Sequence, residues 1–417
     1  MTASEVLHLQ ELCDYITDCH ESSADLKSWA LVSPTLTSSA QRHLFHDIIF
    51  NRGCSGIGDL PTGNVDEVRP CRRFCSIVKA SPHLLPLVRR LRASLEDDVV
   101  KELSWVRFPN LQDVVLHRRT ETLIKKKTLV AAGRIIGLPS IRRVGLIGPT
   151  FRDMQDLRWL FDHWPTQLEA LLLHEVRIKA SSDERGLSAP LQRATIKQLH
   201  LSGLNGPPPL LSPMCPFDIS ALQDIEYPIV KRMQSITALL NRGRSTITRL
   251  KAHGALNDTH IATVARLTAL THLAINDDDL AAVGRLLGAL SSSNLLEVLS
   301  LDIAYTGQLG MPPLNNLRAA VMGTPLPSLR QLEIRVCPLF PQTDGVDPRS
   351  LIRTALAEFD AMGRLSVLDD VPQLDRVDLW VLITFGRNPA RGNKFENRLE
   401  EGILHRTATH TVSVDES

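Results

Sequence analysis

From residue 88 onward the chain carries a recurring hydrophobic pattern, Leu-x-x-Leu-x-Leu, with Ile or Val allowed. It reads VRRLRA at 88–93, LQDVVL at 111–116, IRRVGL at 141–146, LEALLL at 168–173 and IKQLHL at 196–201. It continues as LQDIEY at 222–227, ITRLKA at 247–252, LTHLAI at 270–275, LEVLSL at 296–301 and LRQLEI at 329–334. After a longer gap comes a last copy, LDRVDL at 374–379. The closing Leu-x-Leu alternates with the period of a strand, so its apolar residues point to one face and the intervening ones to the other. The first apolar residue of each copy falls three residues earlier, at the bend into the strand.

Between the strands the pattern predicts helical or irregular segments, such as Phe151 to Phe161, Thr259 to Arg266 and Leu280 to Leu290. Pro, Gly, Ser and Asn mark the corners, as at Leu138-Pro139-Ser140. Over the first ten copies the start-to-start step averages about 27 residues, within the range of leucine-rich repeats. No single unit buries its own apolar stripe, whereas stacked units do. The expected fold class is therefore α/β: an irregular leucine-rich-repeat solenoid over 86–385, with short parallel strands on its concave side. The Asn or Cys that usually follows the last Leu by three positions occurs only as Cys337.

The first fifty residues follow a different period. Leu9, Leu12, Tyr15 and Ile16 recur at helical steps, and Leu26, Trp29, Ala30 and Val32 form a second stripe. Ser33-Pro34 is an N-cap followed by a proline at the first helical position, which predicts a third helix to about Leu44. Asp47-Ile48-Ile49-Phe50 then reads as extended. These segments define a three-helix module over 5–50. A turn-rich connector follows over 51–85, ending in a helix around Cys71 to Lys79. A polar tail over 386–417 lacks the repeat and is expected to fray.

Composition agrees with this division. The 417 residues include 65 leucines but only 5% aromatics, which suits narrow stacked strands better than a β-sandwich. Net charge is +1, so nothing global points to nucleic acid. Seven scattered cysteines without a C-x-x-C speak against a disulfide scaffold or structural zinc. The N-terminus has no signal-peptide pattern and no stretch is apolar enough to span a membrane. The expectation is a cytoplasmic or nuclear protein without cofactor, metal, membrane or nucleic-acid partner.

No catalytic motif emerges, so the chain is not expected to be an enzyme. Gly53-Cys54-Ser55-Gly56-Ile57-Gly58 lacks the Lys-Ser/Thr of a phosphate loop. Asp277-Asp278-Asp279 reads as a capping turn for a helix starting near Leu280, and Asn257-Asp258-Thr259 as another N-cap. Cys71 and Cys75 share a helix face with His83 downstream, but lack a fourth metal ligand. Arg69, Arg72, Arg73, Arg89, Arg90 and Arg92 form a basic cluster, read as a solvated face or a dock for an acidic segment.

The N-terminal module resembles an F-box. The matching stretches are Leu9 to Ile16, Asp25 to Ser33 with its Leu31-Val32-Ser33, and Ser39 to Phe45 with its terminal Leu44-Phe45. An F-box, a connector and leucine-rich repeats, in that order, form a known architecture of the family. The resemblance implies a non-catalytic substrate receptor that binds a Skp-type adaptor and, through it, a cullin. Carried over by position, the adaptor contacts are Leu9, Glu11, Leu12, Ile16, Leu26, Leu31, Val32 and Leu36. The alternative is a leucine-rich-repeat scaffold with a degenerate F-box, in which Leu12 and Leu31 pack inward.

The target would then lie on the concave face, where the outward strand positions include Arg90, Arg92, His117, Arg143, His174, His200, Arg249, His253, His272 and Arg335. Five of these are histidines, which predicts target binding that changes between about pH 6 and 7.

Overall fold

The structure, a computed structural model, describes residues 11–15, 23–32, 34–50, 68–118, 120, 122–162, 168–179, 193–202, 209–229, 234–276, 279–290, 295–305, 311–323, 326–338 and 347–368. It forms two compact units. The first holds the described residues up to 198 together with 209–219, and the second holds 199–202 and those from 220 onward.

The first unit opens with helix α1, of which residues 11–15 are described, then α2 (Ser23–Val32) and α3 (Pro34–His46). Their interior is small: Cys13, Leu26, Ser39 and Ala40 are buried. Asp14 ties α1 to α3, taking a hydrogen bond from the Ser39 hydroxyl and an ion pair from Arg42 at 3.1 Å. Thr37 donates to the Ala30 carbonyl at 2.9 Å, fixing α3 against α2.

The chain then runs directly into β1 (Asp47–Ile49), which is the edge of a parallel sheet, so the sheet begins inside the span assigned to the helical module. After α4 (Val68–Ala80) come β2 (Arg90–Ser94), α5 (Asp97–Leu103), β3 (Asp113–His117), α6 (Lys126–Ile136) and β4 (Arg143–Ile147). The unit continues with β5 (Thr150–Phe151), α7 (Met154–Leu160), β6 (Ala170–His174), β7 (Arg177–Ile178) and β8 (Ala194–Thr195). Its main strands lie in the order β1-β2-β3-β4-β6, all parallel. Short ladders join β5 to β7 and, beyond β9 (Gln198–Ser202), β8 to β10 (Phe217–Asp218).

The second unit orders its strands β9, β11 (Asp224–Pro228), β12 (Arg249–His253), β13 (His272–Asn276), β14 (Val298–Tyr305), β15 (Gln331–Pro338) and β16 (Leu365–Leu368). The registered pairs are again parallel. Helices α8 (Gln234–Arg242), α9 (Asp258–Val264), α10 (Leu280–Ala289), α11 (Met311–Gly323), α12 (Pro348–Ala355) and α13 (Ala357–Ala361) fill the returns. Five main strands in one unit and seven strands in the other, parallel within each, make this a mixed α/β protein built of parallel arrays. The strand after β15 is Leu365–Leu368, earlier than the expected copy at 374–379, which lies outside the described residues. The tail at 386–417 and the glycine-rich stretch at 53–58 also lie outside.

The repeated apolar positions explain the array. In the ten copies from Val88 to Ile334, all three patterned residues are at most 4% exposed. Each buried leucine contributes roughly 1.5–3 kcal/mol of apolar transfer. One backbone device recurs at the strand entries. The Arg89 carbonyl accepts the amides of both Gln112 and Asp113, and the Gln112 carbonyl those of Arg142 and Arg143. The same fork recurs at Arg142, Glu169, Gln223, Thr248, Thr271 and Glu297. It locks each strand in register with its predecessor and satisfies backbone groups at the bend.

The expected caps are in place. Asn257 accepts the His260 amide at 3.0 Å, and Asp279 accepts those of Ala281 and Ala282 at 3.0 and 3.1 Å. At α5, burial works to raise the Asp97 carboxyl. The Thr128 hydroxyl and the ammoniums of Lys125 and Lys127 outweigh this and hold it down to about 2. Among the described residues no helix is long and apolar enough to cross a membrane.

Candidate functional site

The outward strand positions line up in rows because the strands are parallel and in register. In the first unit the row at the strand starts is Asp47, Arg90, Asp113, Arg143 and Ala170. Its charges alternate and pair. Arg90 reaches Asp113 at 3.2 Å and Asp47 at 3.8 Å. Arg143 grips Asp113 bidentately, Nε and Nη2 each at 2.7 Å. Two guanidiniums therefore share one carboxylate, a geometry that Lys does not reproduce.

The next row is Arg92, Val115, Gly145 and Leu172, and the last is Ser94, His117, Ile147 and His174. Arg92 and His117 are half-buried and Arg90 and Arg143 exposed, as expected of face residues. His174 is not a face residue: it is 3% exposed. Glu175 follows it at once with a left-handed φ of 50°, turning the chain towards the β5–β7 ladder.

In the second unit the face is organised around Glu226. His200 Nδ1 lies 2.8 Å from Oε2, and His253 Nε2 and Lys251 Nζ lie 2.6 and 3.2 Å from Oε1. Burial works to raise the Glu226 carboxyl. The hydrogen bonds from His200 and His253, with the Lys251 charge, overcome it and hold the group far below the usual carboxylate range. Further along, Asp302 and Arg335 are register partners with 3.8 Å between Oδ1 and Nε. Both atoms are buried and neither makes a hydrogen bond. Burial pushes the Asp302 carboxyl up, against the pull of Arg335. Asp224 is likewise raised by burial despite Arg249 beside it. Arg249 is exposed, His272 half-buried, and Ser300 donates to Glu333 at 2.8 Å.

Glu226, Asp302 and Ser300 carry as much of this face as the histidines do. Glu226 and Ser300 were marked in the sequence by their place between patterned apolar residues, and Asp302 by following directly on the last of them. Three dimensions were needed to show that His200 and His253 converge on one carboxylate. The basic cluster, by contrast, separates. Arg72 pairs with Glu102 at 3.3 Å and Arg89 donates to the Asn110 carbonyl, while Arg90 and Arg92 belong to the strand face.

On the helical module the expected adaptor contacts divide. Glu11 is exposed, Leu12 is 54% exposed and Leu31 is 89% exposed. Leu26 is buried and Leu36 half-buried. Leu26 serves the module's own core, so it is not available as a contact. Leu9 and Ile16, and the side chain of Val32, lie outside the described residues. Tyr15, expected in the buried stripe of α1, is 67% exposed, because α1 turns Cys13 inward instead.

The cysteines behave as thiols of a helix face. Cys71 is fully buried and its hydrogen bond to Cys75 raises its own pKa and lowers that of half-buried Cys75. His83 is exposed. Among the described residues no group of three His, Cys, Asp or Glu side chains is arranged to hold a metal ion. No protein-family model matches the chain, and no curated protein matches it in sequence.

Proposed function

We propose that this protein is a non-catalytic substrate receptor of a Skp–cullin–F-box ubiquitin ligase. In this reading the helices within 11–46 form an F-box that binds the adaptor, and the repeats form a leucine-rich-repeat solenoid whose open strand face binds a protein target. The observation that carries it is the exposure of Leu12, Tyr15 and Leu31 on one small helical module. Large apolar side chains left in water on so small a body mark a surface meant to be covered. Covering each leucine is worth roughly 1.5–3 kcal/mol. The scaffold reading requires Leu12 and Leu31 to pack inward, and they do not.

Co-expression of the full chain with a Skp-type adaptor tests this. The wild type is expected to co-purify with the adaptor, and Leu12→Asp and Leu31→Asp to lose it while keeping the wild-type melting temperature. Failure of the wild type to co-purify, or retention by both variants, refutes the adaptor-binding role.

A further inference from the structure

We propose that the open strand face of the first unit receives an extended peptide segment in which a bulky apolar side chain stands next to acidic ones. This rests on the reading that the strand face takes the target, and it names the chemistry of the segment.

Outward strand positions take no part in the core, so polar residues satisfy them, and the second unit fills its middle row with His200, Glu226 and Lys251. In the first unit the middle row holds Val115, Gly145 and Leu172 in direct register, with Ile147 one row on. A Cβ at Gly145 would stand 3.1 Å from Val115 and 3.3 Å from Leu172. The two side chains thus close over the glycine strand and make one continuous apolar strip. Val115, Leu172 and Ile147 are only half-buried, so the strip faces solvent. An apolar centre inside a charged rim is the anatomy of a protein-binding site.

The rim selects the charge. Asp113 is 16% exposed in its side chain, beneath Arg90 at 45% and Arg143 at 54%. Its oxygens are already taken by the two guanidiniums. Each guanidinium carries five N–H donors and spends only some of them on Asp113 and Asp47. Arg92, beside Val115 in register, makes no ion pair among the described residues. What this rim offers an incoming chain is therefore guanidinium donors, and their natural complement is carboxylate.

Selection of phage-displayed random peptides on the full-length chain reads this directly. Enriched peptides are expected to place Asp or Glu within two positions of Leu, Ile, Phe or Met. The best of them, as a synthetic peptide, is expected to lose ~10-fold or more in affinity on Arg92→Glu and on Leu172→Asp. Lys101→Glu, exposed on helix α5 away from the strand face, should leave its affinity unchanged. Arg92→Gln and Leu172→Ser, milder changes at the same places, should weaken binding in the same order if the harsher variants unfold. Enrichment of basic or purely apolar peptides, or no enrichment, overturns the proposal. So does a wild-type chain that self-associates through this strip and turns monomeric on Leu172→Asp. Peptides weakened by Lys251→Glu but not by Leu172→Asp defeat this inference and leave the strand-face reading standing, whereas peptides weakened by neither defeat both.

Discussion

His253 Nε2 stands 2.6 Å from Glu226 Oε1, although the register partner of Glu226 is Lys251 and that of His253 is Pro228. The contact is a diagonal one between adjacent strands, which a long side chain spans. His200 reaches the other oxygen of the same carboxylate from the strand on the opposite side. Three strands are thereby tied by one acidic side chain.

Glu226→Gln is expected to destabilise the protein by about 2 kcal/mol, since hydrogen bonds to a charged group are worth roughly 1.5–3 kcal/mol. The sign with pH follows from the depressed carboxyl. Its stabilisation is complete above the ordinary carboxylate value, about 4.3, and is lost progressively as pH falls below it. Urea unfolding at a series of pH values checks this: the wild type should lose stability below that value more steeply than Glu226→Gln. Parallel curves would show that Glu226 is not held down in the folded state.

Asp113 and Arg143 differ in what their removal leaves behind. Arg143→Ala leaves Asp113 still paired with Arg90 and, being half-exposed, should cost no more than about 1 kcal/mol. Asp113→Ala leaves two guanidiniums facing each other across a strand, and the larger loss is expected there. Chemical denaturation of the two variants side by side decides it, with equal losses counting against the shared-carboxylate geometry.

Thiol labelling should separate the cysteines. Burial pushes the Cys215 thiol up to about 11, so it stays protonated and unreactive near pH 8. Cys75, half-buried and lowered by its bond from Cys71, should react before Cys215. Site-resolved mass spectrometry after a short iodoacetamide pulse on the folded protein gives the order, and labelling of Cys215 before Cys75 would contradict it.

Gly148 holds a φ of +75°, and a Cβ placed there would lie 2.3 Å from the Arg118 carbonyl oxygen. Neither the backbone angle nor the space admits a side chain. Gly148→Ala is expected to lower stability by at least about 2 kcal/mol, whereas Gly288→Ala, which meets nothing within 4 Å in a helix, should be neutral or stabilising. Thermal melts of the pair provide the comparison.

The apolar pattern by itself determined the strands of the repeat from Val88 to Ile334, because a buried position in a stacked array tolerates little besides Leu, Ile, Val and an occasional Ala or Tyr. It also determined the caps at Asn257 and Asp279, which are local hydrogen bonds between near neighbours. Tertiary structure decided the rest. Asp47 joins the sheet through pairing with a strand more than forty residues on, which no local period announces. The strand at Leu365–Leu368 was hidden because it is short and lacks the full motif. In α1 the sequence shows apolar residues on a helix, but which face turns inward depends on its docking to α3 through Asp14, Ser39 and Arg42, which buries Cys13 and leaves Leu12 and Tyr15 in water. The outward positions were legible as outward, with His174 the exception. Whether they carry a buried carboxylate hub, a shared ion pair or an apolar strip depends on side chains about 25 residues apart meeting across neighbouring strands. One-dimensional spacing marks where those residues face and leaves open which of them meet.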